Sequence, residues 1–144
     1  MHLAQHHFQA QGRYFEELTE YALSTLFFQP YGLVRSELDA DALLNGNVTL
    51  THARGIMPDG LPFHFPEDPP PPPLEIAPLF SPAQKSHHVL LAIPRYGRGR
   101  ANCAVNGTNG KADMRFTSSE QPMADEITGA DEKRVGLARK NFRL

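Results

Sequence analysis

The chain has 144 residues, with 14 lysines and arginines against 16 aspartates and glutamates. This balance gives no overall positive charge for binding nucleic acid or an anionic membrane surface. The single cysteine, Cys103, excludes an intrachain disulfide and a zinc site built on several thiolates. The sequence shows no signal peptide and no long apolar run, so we expect a cytoplasmic protein with one domain over residues 1–144.

The first predicted element is an amphipathic helix over about residues 6–28. Apolar side chains recur there at helical spacing, and Pro30 and Gly32 follow it. Because the apolar stripe is broad, the helix must pack on its own sheet or on a partner, and we favour its own sheet. The stripe comprises Phe8, Phe15, Leu18, Ala22 and Leu26, flanked by Tyr14 and Tyr21.

Residues 49–65 predict a β-hairpin around the turn Met57–Gly60. Proline presets the backbone angle at the second turn position, and glycine accepts the positive φ that closes the loop. Side chains alternate on both sides of the turn, and after it Leu61, Phe63 and Phe65 share one face. A lone hairpin is barely stable in water, so further strands must complete a sheet.

Other short strands are predicted on either side of this hairpin. Residues 33–38 form one strand, and residues 87–94 form the most apolar one, which we expect at the centre of a sheet. Residues 114–118 and 135–144 complete the set, with a bulge where the last alternation breaks. The pattern predicts an all-β fold, a β-sandwich of short antiparallel strands over about residues 32–144.

Two stretches interrupt the strands. Residues 66–73 include the run Pro69–Pro73, which predicts a stiff crossover between sheets, with a docking ligand for an aromatic groove as the alternative. The segment Gly97–Gly110 predicts a mobile hairpin loop, with phosphate binding by its amides as the alternative. The chain stops inside an apparent strand at Asn141–Leu144, so we expect it to be part of a longer protein.

The seven histidines do not predict a native metal site. Zinc needs three or four converging ligands. His2 and His6 would share a helix face, but no third ligand stands near them at a suitable spacing. His87 and His88 are neighbours on a predicted strand, where adjacent side chains point to opposite faces.

The other reactive side chains do not predict catalysis. Glu67 and Asp68 stand beside the proline run, where a solvated acidic patch is favoured over an acid–base pair. Cys103 has no recognisable basic partner in its glycine-rich surroundings. We therefore expect no enzyme and no cofactor.

Four short segments occur in an order that carries a family resemblance. They resemble, in turn, the patterns HFQQQ-x-R-Y, P-[FWY]-G…E-L, A-x-G-x-x-P-D-G-x-x-F and L-A-R-x-N-x-R-L of the TssK family, also called ImpJ or VasE. These proteins are baseplate subunits of the bacterial type VI secretion system. The family's later helical and head regions have no counterpart here, so the chain resembles the N-terminal domain. The segments are His6–Tyr14, Pro30–Leu38, Ala53–Phe63 and Leu137–Leu144.

The resemblance implies a structural role in an assembly. The family's N-terminal region is a β-sandwich shoulder, similar to that of phage receptor-binding proteins, and the whole protein is a trimer. This region faces the baseplate wedge built from TssF and TssG, while later regions engage TssL and TssM of the membrane complex. The implied location is the cytoplasm at the inner face of the bacterial inner membrane, without membrane insertion, nucleic acid or catalysis.

Four residues of the first segment are candidate partner-binding residues: Phe8, Gln9, Gln11 and Tyr14. Large aromatic side chains suit interface anchors, and glutamines suit adaptable hydrogen bonds. The competing interpretation puts both aromatics in the core and both glutamines in solvent. The competing functions are a phage-like module that binds carbohydrate or peptide through its loops, and an enzyme built on histidines and loop arginines. The absence of tryptophan argues mildly against sugar stacking.

Overall fold

The computed structural model describes residues 4–81, 86–104 and 113–144. The described fold is mostly strands, with one long helix at the N-terminal end. In chain order the elements are α1 Gln5–Leu26, β1 Gly32–Leu38, α2 Ala40–Leu44, β2 Asn47–Val48, β3 Leu50–Ile56, β4 Pro62–Phe65, β5 Leu74–Glu75, a 3₁₀ turn Ala77–Leu79, β6 Cys103–Ala104, β7 Phe116–Met123 and β8 Lys133–Lys140.

The chain divides into two compact units. The first combines the described residues up to Glu37 with Thr51–Pro66, and the second combines Leu38–Leu50 with Glu67–Leu144. The chain therefore leaves the first unit, returns to it and leaves it again. The division into two units does not test the expectation of one domain over residues 1–144, which stays a prediction.

The first unit contains α1 and a three-stranded sheet in the order β1-β3-β4. β3 and β4 pair antiparallel, with Gly55 opposite Phe63 and Ala53 opposite Phe65. These four residues are buried, and the two phenylalanine rings lie 5.4 Å apart. His64 between the phenylalanines is exposed, which confirms the alternation predicted after the turn.

The turn between β3 and β4 is the one predicted from Met57–Gly60. The Gly60 amide donates to the Met57 carbonyl at 2.9 Å, and the Met57 amide donates to the Leu61 carbonyl at 2.8 Å. Gly60 has a φ of 78°, in the left-handed region that glycine adopts without steric cost. Proline and glycine chemistry therefore determines this hairpin locally.

β1 forms one edge of this sheet and approaches β3 closely. A Cβ placed on Gly55 would lie 2.2 Å from the carbonyl oxygen of Gly32, so only glycine fits there without movement. At the other end, the Thr51 hydroxyl donates to the Glu37 carbonyl at 3.1 Å. Since Gly32 faces Gly55 and Glu37 faces Thr51, the two strands run antiparallel.

The second unit contains α2 and two further sheets. β2 pairs antiparallel with β5, β7 pairs antiparallel with β8 along their full lengths, and β6 adds to β7 in parallel. α2 follows Asp39, whose carboxylate accepts hydrogen bonds from the amides of Asp41 and Ala42, each at 3.0 Å. This side-chain cap satisfies amides that the helix itself cannot pair.

The core of the second unit includes a buried arginine. Arg115 is 5% exposed, and its Nη1 donates to the Pro94 carbonyl at 3.1 Å. Its guanidinium also lies 5.8 Å from the ring centroid of Phe116. The buried apolar side chains described in this unit are Val48, Leu50, Ile76, Ala104 and Phe142.

The β7–β8 turn is closed by Asp125. Its carboxylate accepts hydrogen bonds from the amides of Thr128 at 2.8 Å and Ile127 at 2.9 Å. Because these bonds favour the charged form, with Thr128 contributing most, the pKa of Asp125 is lowered from its ordinary value. Gly129 completes the turn with a φ of 67°.

Residues 87–94 do not form the central strand predicted from their apolar run. Within the described residues of this segment, only Ala92 bonds to a partner strand, as a bridge to Arg143 with N–O distances of 2.8 and 2.9 Å. Leu90 is 73% exposed. The predicted bulge in the last strand is also wrong, since β8 ends at Lys140 and Arg143 bonds to Ala92 instead. Apolar runs do not reveal whether a partner strand lies beside them.

Candidate protein-interaction surfaces

The described part of α1 contributes no buried residue, although one face of the helix is apolar. Phe8 and Tyr14 are each 61% exposed, and the half-buried residues of the helix are Arg13 and Leu23. Packing of this helix into its own core, which the sequence favoured, is therefore wrong. We call its exposed apolar side chains the α1 apolar face: Phe8, Tyr14, Phe15, Leu18, Tyr21 and Leu26.

α1 turns a polar side toward its own hairpin. A Cβ placed on Gly60 would lie 3.1 Å from the Cγ of Glu20, so this side chain covers the hairpin turn. At about 100° per residue, Glu20 and Arg13 lie on one side of the helix, and Phe15 and Leu18 lie roughly opposite. A surface helix normally buries its apolar side. An exposed apolar patch of this kind is typical of a surface that binds another protein.

The four predicted partner-binding residues are all exposed on α1, but they do not share one side. At about 100° per residue, Gln11 and Tyr14 fall on the outward half with Phe8, whereas Gln9 lies about 100° from Phe8, toward Arg13. Their role in binding stays a prediction, while the core position that the sequence favoured for most of this outward side is not observed. The other large apolar side chains exposed on α1 are Phe15, Leu18, Tyr21 and Leu26.

A second surface lies on the solvent side of the β1-β3-β4 sheet. It is a cavity of about 270 Å³, open to solvent, to which all three strands contribute polar side chains. We call it the sheet groove. It is lined by Arg35, Glu37, His52, Arg54 and His64, with Ala53 and Phe65.

The sheet groove is rich in cationic and imidazole groups. Arg35 Nε donates to Glu37 Oε1 at 2.9 Å, and a second nitrogen of the guanidinium contacts the same oxygen. Arg54 stands directly opposite His64 in the β3–β4 ladder, and both are exposed. In the part of the chain that the structure describes, Arg54 has no hydrogen bond or ion pair. The groove therefore offers a guanidinium that faces solvent.

Part of the sheet groove could be predicted from the sequence. The alternation along β3 puts His52 and Arg54 on one face, and the turn register puts Arg54 opposite His64. Arg35 and Glu37 come from β1, whose pairing with β3 depends on contacts distant in sequence. The groove was missed because this third strand could not be positioned.

The histidine pairs weighed as metal ligands have separate surroundings in the structure. The ring of His87 meets the ring of Phe80 edge-on at 4.8 Å, and His88 is exposed. His2 lies outside the described residues. Across residues 4–81, 86–104 and 113–144, no group of three or more histidine, cysteine, aspartate or glutamate side chains could hold a metal ion.

Asp68 and Cys103, two of the reactive side chains considered from the sequence, are held in contacts that stabilise the fold. Asp68 forms an ion pair with Lys140 at 2.8 Å, and both side chains are 22% exposed. Asp68 is therefore not part of the solvated acidic patch that was predicted for Glu67 and Asp68. Cys103 lies in strand β6 and not in a loop. Burial raises the pKa of its thiol, which disfavours the reactive thiolate.

The glycine-rich segment uses its backbone internally where the structure describes it. The Gly97 amide donates to Asn102 Oδ1 at 2.7 Å, and Asn102 Nδ2 donates to the Gly97 carbonyl at 2.8 Å. The Gly97 amide is therefore not available to a phosphate. Residues 105–110 of the predicted loop lie outside the described residues. Among the helices that are described, none is both long and apolar enough to cross a bilayer.

The chain matches a known family over nearly its whole length. The profile of the bacterial type VI secretion proteins EvfL, ImpJ and VasE matches residues 7–144. The type VI secretion baseplate component TssK1 of Pseudomonas aeruginosa is 30% identical over 146 residues, which cover 100% of this chain and 32% of that protein. The chain thus spans about a third of the length of this curated relative.

Solved structures share the fold. A crystal structure of TssK superposes with a TM-score of 0.83 at 27% identity, covering 99% of this chain and 32% of that one. A chain of the TssK–TssF–TssG baseplate subcomplex, determined by cryo-electron microscopy, superposes with a TM-score of 0.85 at 22% identity, covering 99% of this chain and 47% of that one. The resemblance drawn from the four sequence segments is confirmed, and the chain belongs to the TssK, ImpJ and VasE family of bacterial type VI secretion proteins.

Proposed function

We propose that this chain is the wedge-facing shoulder of a type VI secretion baseplate adaptor, and that it acts through protein contacts without catalysis. Family membership supports the baseplate role, since a relative at 30% identity is a baseplate component. The subcomplex that contains a similar fold also contains TssF and TssG. TssF and TssG are accordingly the partners we propose for this chain.

The α1 apolar face carries the proposal. Its six large side chains are exposed in the chain alone, with Phe15 at 55% and Tyr21 at 70%. Full burial of one such side chain stabilises an association by roughly 1.5–3 kcal/mol. Burying this face against a protein partner therefore contributes strongly to the free energy of binding. Aromatic residues are common anchors at such contacts. We assign Phe8, Gln11, Tyr14 and Phe15 to this contact, and Gln9 to its margin beside Phe8.

The proposal also concerns architecture and location. The three described sheets and the N-terminal helix suit a β-sandwich shoulder like that of phage receptor-binding proteins, formed by residues 1–144 as one domain. In the whole protein, we propose a homotrimer that links the wedge to TssL and TssM through regions beyond this chain. The assembly would stand in the cytoplasm at the inner face of the inner membrane.

Co-purification of this chain with TssF and TssG tests the proposal. Phe8→Asp and Phe15→Asp should each weaken binding by about thirtyfold, the effect of losing an interface anchor, with an unchanged Tm. Ile127→Asp is the matched control, because Ile127 is 94% exposed and lies outside α1. It should bind as the unchanged chain does.

Two results would contradict the proposal. If Phe8→Asp and Phe15→Asp both collapsed the Tm, these side chains would belong to the core. If the folded chain failed to bind TssF and TssG, the wedge-facing assignment would be wrong for this domain.

A further inference from the structure

We propose that the sheet groove is a binding site for a carboxylate side chain carried by an extended acidic segment of a partner protein. The site uses residues of β1, β3 and β4 and none of the α1 apolar face. This proposal therefore goes beyond the proposed function, and the two can be tested independently.

The charges that line the sheet groove favour a carboxylate ligand. Two guanidinium groups and two imidazoles line the sheet groove against one carboxylate, that of Glu37. Arg35 already engages that carboxylate through its Nε at 2.9 Å. Arg54 is left facing solvent, and a guanidinium offers paired donors that match the two oxygens of a carboxylate. The groove thus has the donors for one additional carboxylate.

The donors of the sheet groove are arranged on one face of the sheet. Arg54 and His64 are directly opposite in the β3–β4 ladder, so their side chains rise from the same face at neighbouring positions. His52 stands two residues from Arg54 on that face. Paired strands fix the backbones of these three residues in register, so a ligand has to order only their side chains.

The remaining charge and the open sheet edge favour a protein segment over a nucleic acid. The Glu37 carboxylate in the groove repels a phosphate more strongly than a singly charged carboxylate, and the chain carries a formal net charge of −2. β1 is an edge strand of the described sheet, where it pairs with β3 alone. An extended segment can hydrogen-bond along such an edge while one of its side chains enters the groove.

The test is an NMR titration of the ¹⁵N-labelled chain with a blocked hexapeptide of alternating threonine and glutamate. Shifts should concentrate on the groove residues, and the same peptide with glutamine for glutamate should bind at least about tenfold more weakly. Arg54→Glu should weaken binding of the glutamate peptide by about tenfold or more, and Arg54→Gln by a smaller factor. Arg54→Gln keeps the test valid if the reversed charge disturbs folding.

Arg134→Glu is the matched control for Arg54→Glu. Arg134 is also an arginine on a strand, its side chain is 84% exposed, and it lies in β8 of the second unit. It should leave the affinity for the glutamate peptide within twofold. Phe8→Asp should leave that affinity unchanged as well, which separates this site from the α1 apolar face.

Several results would overturn the proposal. Equal binding of the glutamine peptide, or unchanged binding by both Arg54 variants, would remove the carboxylate site. If inorganic phosphate or a short DNA oligonucleotide bound more tightly than the glutamate peptide, the groove would be a phosphate-binding site instead. Groove shifts that depend on protein concentration without peptide would make a second copy of the chain the occupant.

Discussion

The ammonium of Lys140 lies 2.8 Å from the carboxylate of Asp68, joining the end of β8 to the proline-rich segment 72 positions earlier. Both side chains are 22% exposed, so water screens the pair only partly. We expect Asp68→Asn or Lys140→Met to lower the free energy of unfolding by roughly 1–3 kcal/mol, because the remaining charged group loses a partner in a partly buried place. Urea unfolding measures the change.

An exposed ion pair provides the comparison. Lys133 and Asp131 lie 3.3 Å apart with side chains 75% and 74% exposed. Lys133→Met should cost less than about 1 kcal/mol, as exposed pairs do. The double variant of Asp68 and Lys140 should cost less than the sum of its two single changes. Equal costs for the partly buried pair and the exposed pair would show that partial burial does not strengthen the contact.

Gly55 should be the least replaceable glycine of the first unit. A Cβ there would lie 2.2 Å from the Gly32 carbonyl oxygen and 2.8 Å from Cζ of Phe63. Gly55→Ala should therefore push β1 from β3 and lower the free energy of unfolding by roughly 1–3 kcal/mol. Gly136→Ala is the control, because no atom lies within 4 Å of its added Cβ. Thermal unfolding should show a lower Tm for the first variant and an unchanged or raised Tm for the second.

The contact between α1 and the hairpin turn can be measured through Gly60. Gly60→Ala places a side chain at a φ of 78° and 3.1 Å from Glu20 Cγ. Gly129→Ala meets the same kind of backbone strain at a φ of 67° with nothing within 4 Å, and should cost about 1–2 kcal/mol. We expect Gly60→Ala to cost more. Glu20→Ala in the same chain should remove only part of the excess, because the Cβ of residue 20, which lies 3.2 Å from the added Cβ, is kept. Equal costs for both glycines would mean that Glu20 contributes no steric barrier.

Asp125 predicts a pH dependence with a definite sign. Its pKa in the folded chain is lowered, chiefly by the Thr128 amide, from an ordinary value of 3.8. The stability it contributes is therefore fully present above that ordinary value and is lost as the pH falls through the lowered folded value. The side chain is exposed, so the change in Tm should be small. A ¹³C titration of the Asp125 carboxyl should give a midpoint below 3.8. A midpoint at or above it would show that the turn bonds do not stabilise the charge, and Asp125→Asn should remove this part of the pH dependence.

The best predictions from the sequence concern local chemistry. Pro58 and Gly60 determine the hairpin turn through their own backbone preferences, and the structure reproduces it. The helix predicted over about residues 6–28 occupies Gln5–Leu26, because 3.6-residue periodicity and Pro30 define its extent. Its surroundings were not predictable in the same way. Periodicity reveals an apolar face and does not reveal what covers it.

The weaker predictions depended on contacts distant in sequence. Residues 114–118 were expected as a short strand, whereas β7 runs through the polar stretch to Met123 because β8 bonds to it along its length. Among the residues that the structure describes, no such partner runs along the apolar segment 87–94, which makes an isolated bridge from Ala92 to Arg143. The sheet groove could not be predicted for the same reason. Its residues Arg35 and Glu37 come from β1, and the alternation of side chains does not determine which strand β1 pairs with.

The order in which the units are completed during synthesis follows from the path of the chain. Every strand of the β1-β3-β4 sheet has been made once Phe65 has left the ribosome. The second unit must wait for Lys140 to reach Asp68 and for Arg143 to reach Ala92. Since domains fold as their residues emerge, the first unit can form while the second is still being translated. The nascent chain therefore exposes its aromatic helix and its arginine-lined sheet before the second unit is complete.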